Sequence, residues 1–282
     1  MRFAKGQGTG NDFVIVPDLD GELDLTPELV RALCDRHFGV GGDGVLRVVR
    51  SAAVGEHQTT EWFMDYRNAD GSVAEMCGNG VRVFVRYLIE EGLVQGPEVA
   101  VGTRAGIRTV RSEPDGEFTV DMGGAAVLGD GRVDTGGRVL AGLAISVGNP
   151  HLACVIDEPV GAVDLGASRV LAPAELTGGA NVEVVRIVGP QQAEMQVHER
   201  GSGLTLSCGT GAVAAAVAAA VSAGEWPDVP ARWTMHVPGG TLAVTPSVTA
   251  SLLTGPAEIV ARGELDAGWI ARQRQPASAG RN

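Results

Sequence analysis

The sequence predicts an α/β (α+β) protein built as two similar halves. Three observations carry that expectation. Strand-like runs alternate with a few helix-like ones along the whole chain. Met76-Cys77-Gly78-Asn79-Gly80 and Ser207-Cys208-Gly209-Thr210-Gly211 open two of the helices in nearly the same words. The 282 residues exceed what one compact core usually needs. The two cysteines lie 131 residues apart, and Asn68 and Glu199 stand at the same offset before them. The helix-stopping glycines Gly92 and Gly224 follow at nearly equal intervals. Two α/β halves, each giving one cysteine to a shared cleft, is the simplest reading of that repeat.

Taken in order, residues 1–16 read as a strand, a Gly-rich turn and a second strand over Phe13-Val14-Ile15-Val16. Thr26-Pro27-Glu28 supplies an N-cap, a proline at the first helical position and an early acid, for a helix running to about Arg36. A Gly-rich bend over Gly39 to Gly44 precedes strands at Val45 to Arg50 and Glu61 to Arg67, the latter closed by the turn Asn68-Ala69-Asp70-Gly71. From Asn79 to Glu91 the apolar residues Val81, Val83, Phe84, Val85, Leu88 and Ile89 fit a mostly buried helix. Short strands follow at Glu98 to Val101, Ile107 to Arg111 and Phe118 to Met122, with Asp115-Gly116 as a hairpin turn.

The second half repeats the order. Leu143 to Val147 and Ala153 to Ile156 flank Gly148-Asn149-Pro150-His151; Val182 to Val188 and Ala193 to His198 precede the Cys208 helix. A meander over Thr234 to Val237, Thr241 to Val244, Ser251 to Thr254 and Ala257 to Gly263 closes the chain. The expected domains are 1–124, completed by about 264–274, and 125–263, with 275–282 as a polar, disordered tail.

Composition narrows the function. Hydrophobic residues make up 44% and charged residues 20%, ordinary for a folded soluble protein. The net charge of −12 and the lack of a long basic run argue against a nucleic-acid partner. The longest apolar stretch, Ala212 to Val221, is too short to span a membrane, and Met1 to Gly6 lacks the apolar core of a signal peptide. Four cysteines without Cys-x-x-Cys spacing make a zinc site improbable, so no metal is expected, and free thiols fit a reducing cytoplasm. Cys34, in an apolar helix, and Cys154, in an apolar strand, read as small buried hydrophobes.

Cys77 and Cys208 differ from those two because glycines follow each. A helix start offers N–H donors and a positive dipole end, which favour an anion or lower a thiol pKa. Two thiols facing one carbon could remove a proton from one side and return one to the other, which is inversion of an amino-acid α-carbon. No lysine environment suited to a pyridoxal cofactor is evident, so the developing charge would be met by preorganised donors around the substrate carboxylate and no cofactor is expected.

These residues resemble the diaminopimelate epimerase family, cofactor-independent amino-acid epimerases of bacterial lysine and cell-wall synthesis. The resemblance rests on Gly8-Thr9-Gly10-Asn11-Asp12-Phe13, Asn68-Ala69-Asp70-Gly71-Ser72 leading to the Cys77 motif, Gly148-Asn149-Pro150-His151, Asn181-Val182, Glu199-Arg200-Gly201 leading to the Cys208 motif, and Leu253-Thr254-Gly255-Pro256-Ala257. It implies two pseudo-symmetric domains, each a mixed or antiparallel sheet wrapped around a central helix, and a homodimer. It implies that Cys77 and Cys208 form an acid–base pair that interconverts LL- and meso-diaminopimelate. Gly78, Asn79, Gly209 and Thr210 would then hold the reacting carboxylate, while Asn11, Asn68, Asn149, Asn181 and Arg200 would read the distal head. Glu199 would accept from an ammonium and, with His151, set the thiol pKa values. Leu204 stands where many members carry Glu, and Gly44 where some carry Gln; the proline racemase group typically has His where Asn79 stands. Competing readings are an epimerase of another amino acid on the same scaffold, a non-catalytic binding homologue, and a thiol hydrolase using Cys208 and His151, which leaves Cys77 unexplained.

Overall fold

A computed structural model describes residues 1–56, 59–173, 176, 178–229 and 231–273. The tail expected at 275–282 lies outside them. The α/β expectation holds, with strands far outnumbering helices. The chain divides into two compact units: Met1–Gly8, Asp12–Val110 and Ala257–Asn282 form the first, and Thr9–Asn11 with Arg111–Pro256 the second. The expected boundary at 124 and the return at 264 are therefore corrected to 110 and 257. Phe118–Asp121 pairs antiparallel with Leu252–Gly255 of the second unit, whereas Glu258–Glu264 pairs antiparallel with Arg2–Gly8 of the first.

In the first unit a mixed sheet forms. Asn11–Pro17 runs parallel to Gly44–Arg50, which is antiparallel to Trp62–Asn68, which is parallel to Glu98–Thr103. Near-continuous apolar runs such as Phe13-Val14-Ile15-Val16 mark strands covered on both faces. The helix Pro27–Cys34 covers one face, packing Leu29, Val30 and Leu33 on Val14, Val16 and Val45. Its N-cap is as read: Thr26 Oγ1 accepts from the N–H of Leu29 at 3.3 Å. It stops short of Arg36 because the Asp35 carboxylate accepts from the N–H groups of His37 and Phe38, a local competitor to the helix. The helix Gly78–Glu90 packs against Arg2–Gly8, Gly44–Arg50, Trp62–Asn68 and Glu258–Glu264. Gly6 permits the approach, since a Cβ there would lie 2.6 Å from Val83 Cγ1.

The second unit strings its strands into one mixed sheet. Ser168–Ala172 and Val139–Ser146 flank Ala126–Thr135, and Pro150–Val155 follows antiparallel to Val139–Ser146. Asn181–Gly189 is parallel to Pro150–Val155 and antiparallel to Gln192–Glu199, whose other edge takes Trp233–Val237; Gly240–Thr245 and Leu252–Gly255 complete the meander. The helix Gly209–Ser222 packs against several of these strands, and Ala212 through Ala220 are buried without exception. Small alanines on every side let strands approach all round it, as a helix apolar on all faces requires. No described helix is long and apolar enough to cross a membrane.

Candidate active site

Each motif cysteine is itself the N-cap of its helix. Cys77 has extended backbone angles (φ −139°, ψ 121°) and its sulfur accepts from the N–H of Gly80 at 3.3 Å; Cys208 (φ −128°, ψ 122°) accepts from Gly211 at 3.4 Å. In both cases the third N–H of the helix meets the sulfur at the positive end of the dipole. The N–H groups of Gly78 and Asn79, and of Gly209 and Thr210, belong to the first turn, where helix geometry leaves donors to outside acceptors.

In the first unit, Asn79 is fully buried and its Oδ1 accepts from Nη2 of the equally buried Arg82 at 3.0 Å, while Nη1 donates to the Gly78 carbonyl at 3.3 Å. A cation thus braces the loop that carries Cys77. Asn68 ends its strand in the expected turn, with Nδ2 donating to Ser72 Oγ at 3.0 Å and Gly71 at φ 88°. Gly44 leaves no room for a longer residue: a Cβ would lie 2.5 Å from the Arg67 carbonyl and 2.7 Å from Tyr66 Cε2.

In the second unit, Cys208 is 7% exposed. Its pKa lies well above the ordinary thiol value, because burial first, then the Glu199 and Glu183 carboxyls, outweigh the donors at Thr210 and Gly211. This corrects the expectation that a helix start lowers it. Thr210 Oγ1 sits 3.6 Å from Cys208 Sγ, and Asn149 Nδ2 donates to that oxygen at 3.3 Å. Asn149 Oδ1 lies 3.0 Å from Nε2 of His151, whose Nδ1 lies 2.7 Å from Glu183 Oε1. Asn181 Oδ1 accepts from the N–H of Arg200 at 2.9 Å, and the exposed Arg200 donates from Nη1 to the Gly179 carbonyl. Glu199 Oε1 accepts from Thr205 Oγ1 at 2.6 Å. The carboxyl beside the His151 imidazole is that of Glu183, while Glu199 acts on Cys208 through its charge. Leu204 is exposed on the short strand opposite His198.

Asn11 belongs to this unit although it comes from the start of the chain. The turn Thr9-Gly10 (φ 50° and 81°) delivers it. Thr9 Oγ1 meets Ser207 Oγ at 2.9 Å, next to Cys208, and a Cβ at Gly10 would lie 2.9 Å from Leu206 Cδ1. Sequence reading missed Glu183 and Arg82. The signal for each was a single charge inside an apolar run, Asn181-Val-Glu-Val-Val and Val81-Arg-Val-Phe-Val. Cys34 and Cys154 are buried thiols pushed up to about 12, as inert core residues are. None of the four cysteines forms a disulfide among the described residues. Among the described residues no three His, Cys, Asp or Glu converge as metal ligands.

A family profile described as diaminopimelate epimerase matches residues 3–128 and 143–260. A diaminopimelate epimerase of Thermobifida fusca is 58% identical, over 94% of this chain and 98% of that one. One of Streptomyces coelicolor is 51% identical, over 96% and 97%. Among solved structures, a probable proline racemase of Agrobacterium radiobacter superposes with TM-score 0.69 at 15% identity, over 94% of this chain and 93% of that one. A Bacillus anthracis protein of the PhzF phenazine biosynthesis family does so with TM-score 0.66 at 16% identity, over 94% and 98%. At such identities these two likenesses concern the fold alone.

Proposed function

This chain belongs to the diaminopimelate epimerase family, and we propose that it interconverts LL- and meso-2,6-diaminopimelate without a cofactor, in lysine and peptidoglycan precursor synthesis, with Cys77 and Cys208 as the two proton carriers. The observation that carries the mechanism is the repeated N-cap: two cysteines, each with its sulfur on the third N–H of a Gly-rich helix start.

Inversion needs a base on one face of the α-carbon and an acid on the other. Burial raises the pKa of Cys208 and so favours its thiol form, and in our scheme Cys208 takes the part of the acid and Cys77 that of the base. Cys77 takes the α-proton, Cys208 gives its own, and the pair is left with Cys77 as thiol and Cys208 as thiolate. The reverse reaction starts from that state. The first-turn N–H groups at Gly78, Asn79, Gly209 and Thr210 hold the substrate carboxylate, where small residues let backbone approach it, and stabilise the charge that develops on deprotonation. Arg200, its backbone held by Asn181, takes the distal carboxylate with two parallel donors. Asn11, Asn68 and Asn149 complete the reading of the distal head, and Glu199 accepts from its ammonium. The resemblance supports a homodimer, and cysteines that form no disulfide among the described residues fit a cytoplasmic setting.

The test is incubation with LL-diaminopimelate in deuterated water without added cofactor. We expect meso product carrying solvent deuterium at one α-carbon only; meso product without deuterium, or no product, overturns the reading. Cys77→Ala and Cys208→Ala should each lose epimerisation by a factor of roughly 10³ or more while still binding substrate weakly. Normal turnover by either variant would contradict the two-base scheme.

A further inference from the structure

Glu183 has no part in the scheme above, yet among the described residues it is a fully buried carboxyl that reaches the surroundings of Cys208 from inside the core. It sits on Asn181–Gly189, whose parallel register with Pro150–Val155 sets Asn181 opposite His151 and Glu183 opposite Ala153. Side chains two apart on a strand share a face, so His151 and Glu183 meet diagonally on it. Both are 0% exposed. From Glu183 a continuous line of contacts leads to the sulfur. Oε1 lies 2.7 Å from His151 Nδ1, Nε2 lies 3.0 Å from Asn149 Oδ1, Nδ2 of Asn149 donates to Thr210 Oγ1 at 3.3 Å, and Oγ1 lies 3.6 Å from Cys208 Sγ.

Resting on the reading of Cys208 as a proton carrier, we propose that Glu183 is a positioning residue: by binding Nδ1 of His151 it keeps Nε2 as a hydrogen donor, and so fixes Asn149 and Thr210 in the orientation that turns the Thr210 hydroxyl hydrogen towards the Cys208 sulfur. One proton lies between Oε1 and Nδ1. Asn149 Oδ1 can only accept, so Nε2 opposite it carries a hydrogen, and Nδ1 then meets Glu183 either as the acceptor of a carboxyl O–H or as the second donor of a charged ring. The Nε2 hydrogen goes to Asn149 Oδ1, which commits the Asn149 amide N–H to Thr210 Oγ1. Once Oγ1 has accepted, its own hydrogen is the one left to point at sulfur, where it supports the thiolate formed when Cys208 gives up its proton.

Three further features fit. Glu183 Oε2 is buried with no hydrogen-bond partner among the described residues, so burial opposes full ionisation, and its pKa is raised by that burial against the pull of His151. A carboxyl in that state shares a proton readily. Gly211 is the third residue of an otherwise alanine- and valine-rich helix, and a Cβ there would lie 2.8 Å from Glu183 Oε1. The helix start that carries Cys208 is thus shaped around the carboxyl. Glu199, the other carboxyl near Cys208, is engaged elsewhere, by Thr205.

The experiment has two arms. In the ligand-free wild-type protein, ¹⁵N NMR of the His151 ring should show hydrogen on Nε2 throughout the neutral range; a neutral ring with hydrogen on Nδ1 alone overturns the proposal, whatever the protein's activity. In the second arm, Glu183→Gln, Thr210→Val and the double variant are compared in diaminopimelate turnover. Each single variant should lower kcat by about tenfold or more with KM changed far less, and the double variant should be no slower than the worse single one, because both break the same line. Additive losses, or a Glu183→Gln protein with unchanged kcat and unchanged ring tautomer, overturn it. Should Glu183→Gln not fold, Glu183→Asp takes its place in the cycle and is held to the same outcomes. Failure of wild-type turnover would sink the epimerase reading while leaving the ring measurement to judge Glu183.

Discussion

A cysteine at a helix N-cap is held in a different electrostatic setting from one in a core, and this chain contains both kinds. At Cys77 and Cys208 the sulfur takes an N–H that Ser or Asp would ordinarily take. The glycines after each cysteine made that arrangement legible in the sequence. What was not legible is how far burial and two carboxyls would push Cys208 up, since Glu183 arrives from a strand distant in sequence and only the register of Asn181–Gly189 brings it in. Cys34 and Cys154 carry the core version of the same effect, both pushed up to about 12 by burial. Their linkage has a definite sign. Unfolded thiols release protons near pH 8.5 and folded ones hold them to higher pH, so the stability they contribute is complete below about 8.5 and is lost as pH climbs from there. Urea unfolding at rising pH should show stability falling by up to about 1.4 kcal/mol per pH unit for each such thiol. Cys34→Ala with Cys154→Ala should lower the neutral value and flatten the alkaline slope; an unchanged slope would refute this assignment.

At the scale of the element, the two cysteine helices end as alike as they begin. Gly92 (φ 67°) and Gly224 (φ 71°) each follow their helix, with Gly92 N–H bonded to Ile89 and Leu93 N–H to Leu88, and Gly224 N–H to Val221 and Glu225 N–H to Ala220. This is the same Schellman closure twice. A Cβ at either glycine would meet open space, so only the left-handed backbone is at issue. Gly92→Ala and Gly224→Ala should therefore each cost about 1–2 kcal/mol in chemical unfolding, with turnover little changed; a neutral effect at both would show that the caps are not held in that conformation. These stops, the Thr26-Pro27 start and the apolar strands were readable because each has a local cause. The strand Ala126–Thr135 was not, because Gly129-Asp130-Gly131 breaks the apolar alternation that marks a strand. The structure has a bulge there: the register with Val139–Ser146 shifts between Val127 and Gly129, and Gly129 takes φ 136°.

At the scale of the whole molecule, the sequence repeat pointed to two halves, but their edges depend on strand pairing, which no local signal announces. The first unit is closed by residues from both ends of the chain. Glu258–Glu264 pairs with Arg2–Gly8 from Arg2↔Glu264 to Gln7↔Glu258, Leu265 and Trp269 pack on the cluster around Leu29 and Leu33, and Arg262 bonds Glu90 and Glu91 at the end of the Cys77 helix. The second unit keeps its sheet within Arg111–Pro256 and borrows only Thr9–Asn11. A chain ended after Pro256 should therefore lose the first unit selectively, since Arg2–Gly8 would keep only Asn11–Pro17 as a neighbour and buried Ala4 would lose cover. Hydrogen exchange would follow it: amides of Gly44–Arg50 and Trp62–Asn68 should lose protection by orders of magnitude while those of Asn181–Gly189 keep theirs. A chain ended after Gln273 retains every one of these contacts and is the control for the shorter one. Uniform loss in the shorter chain would mean that the two units do not unfold as separate cores, and uniform retention would mean that the terminal strand does not close the first.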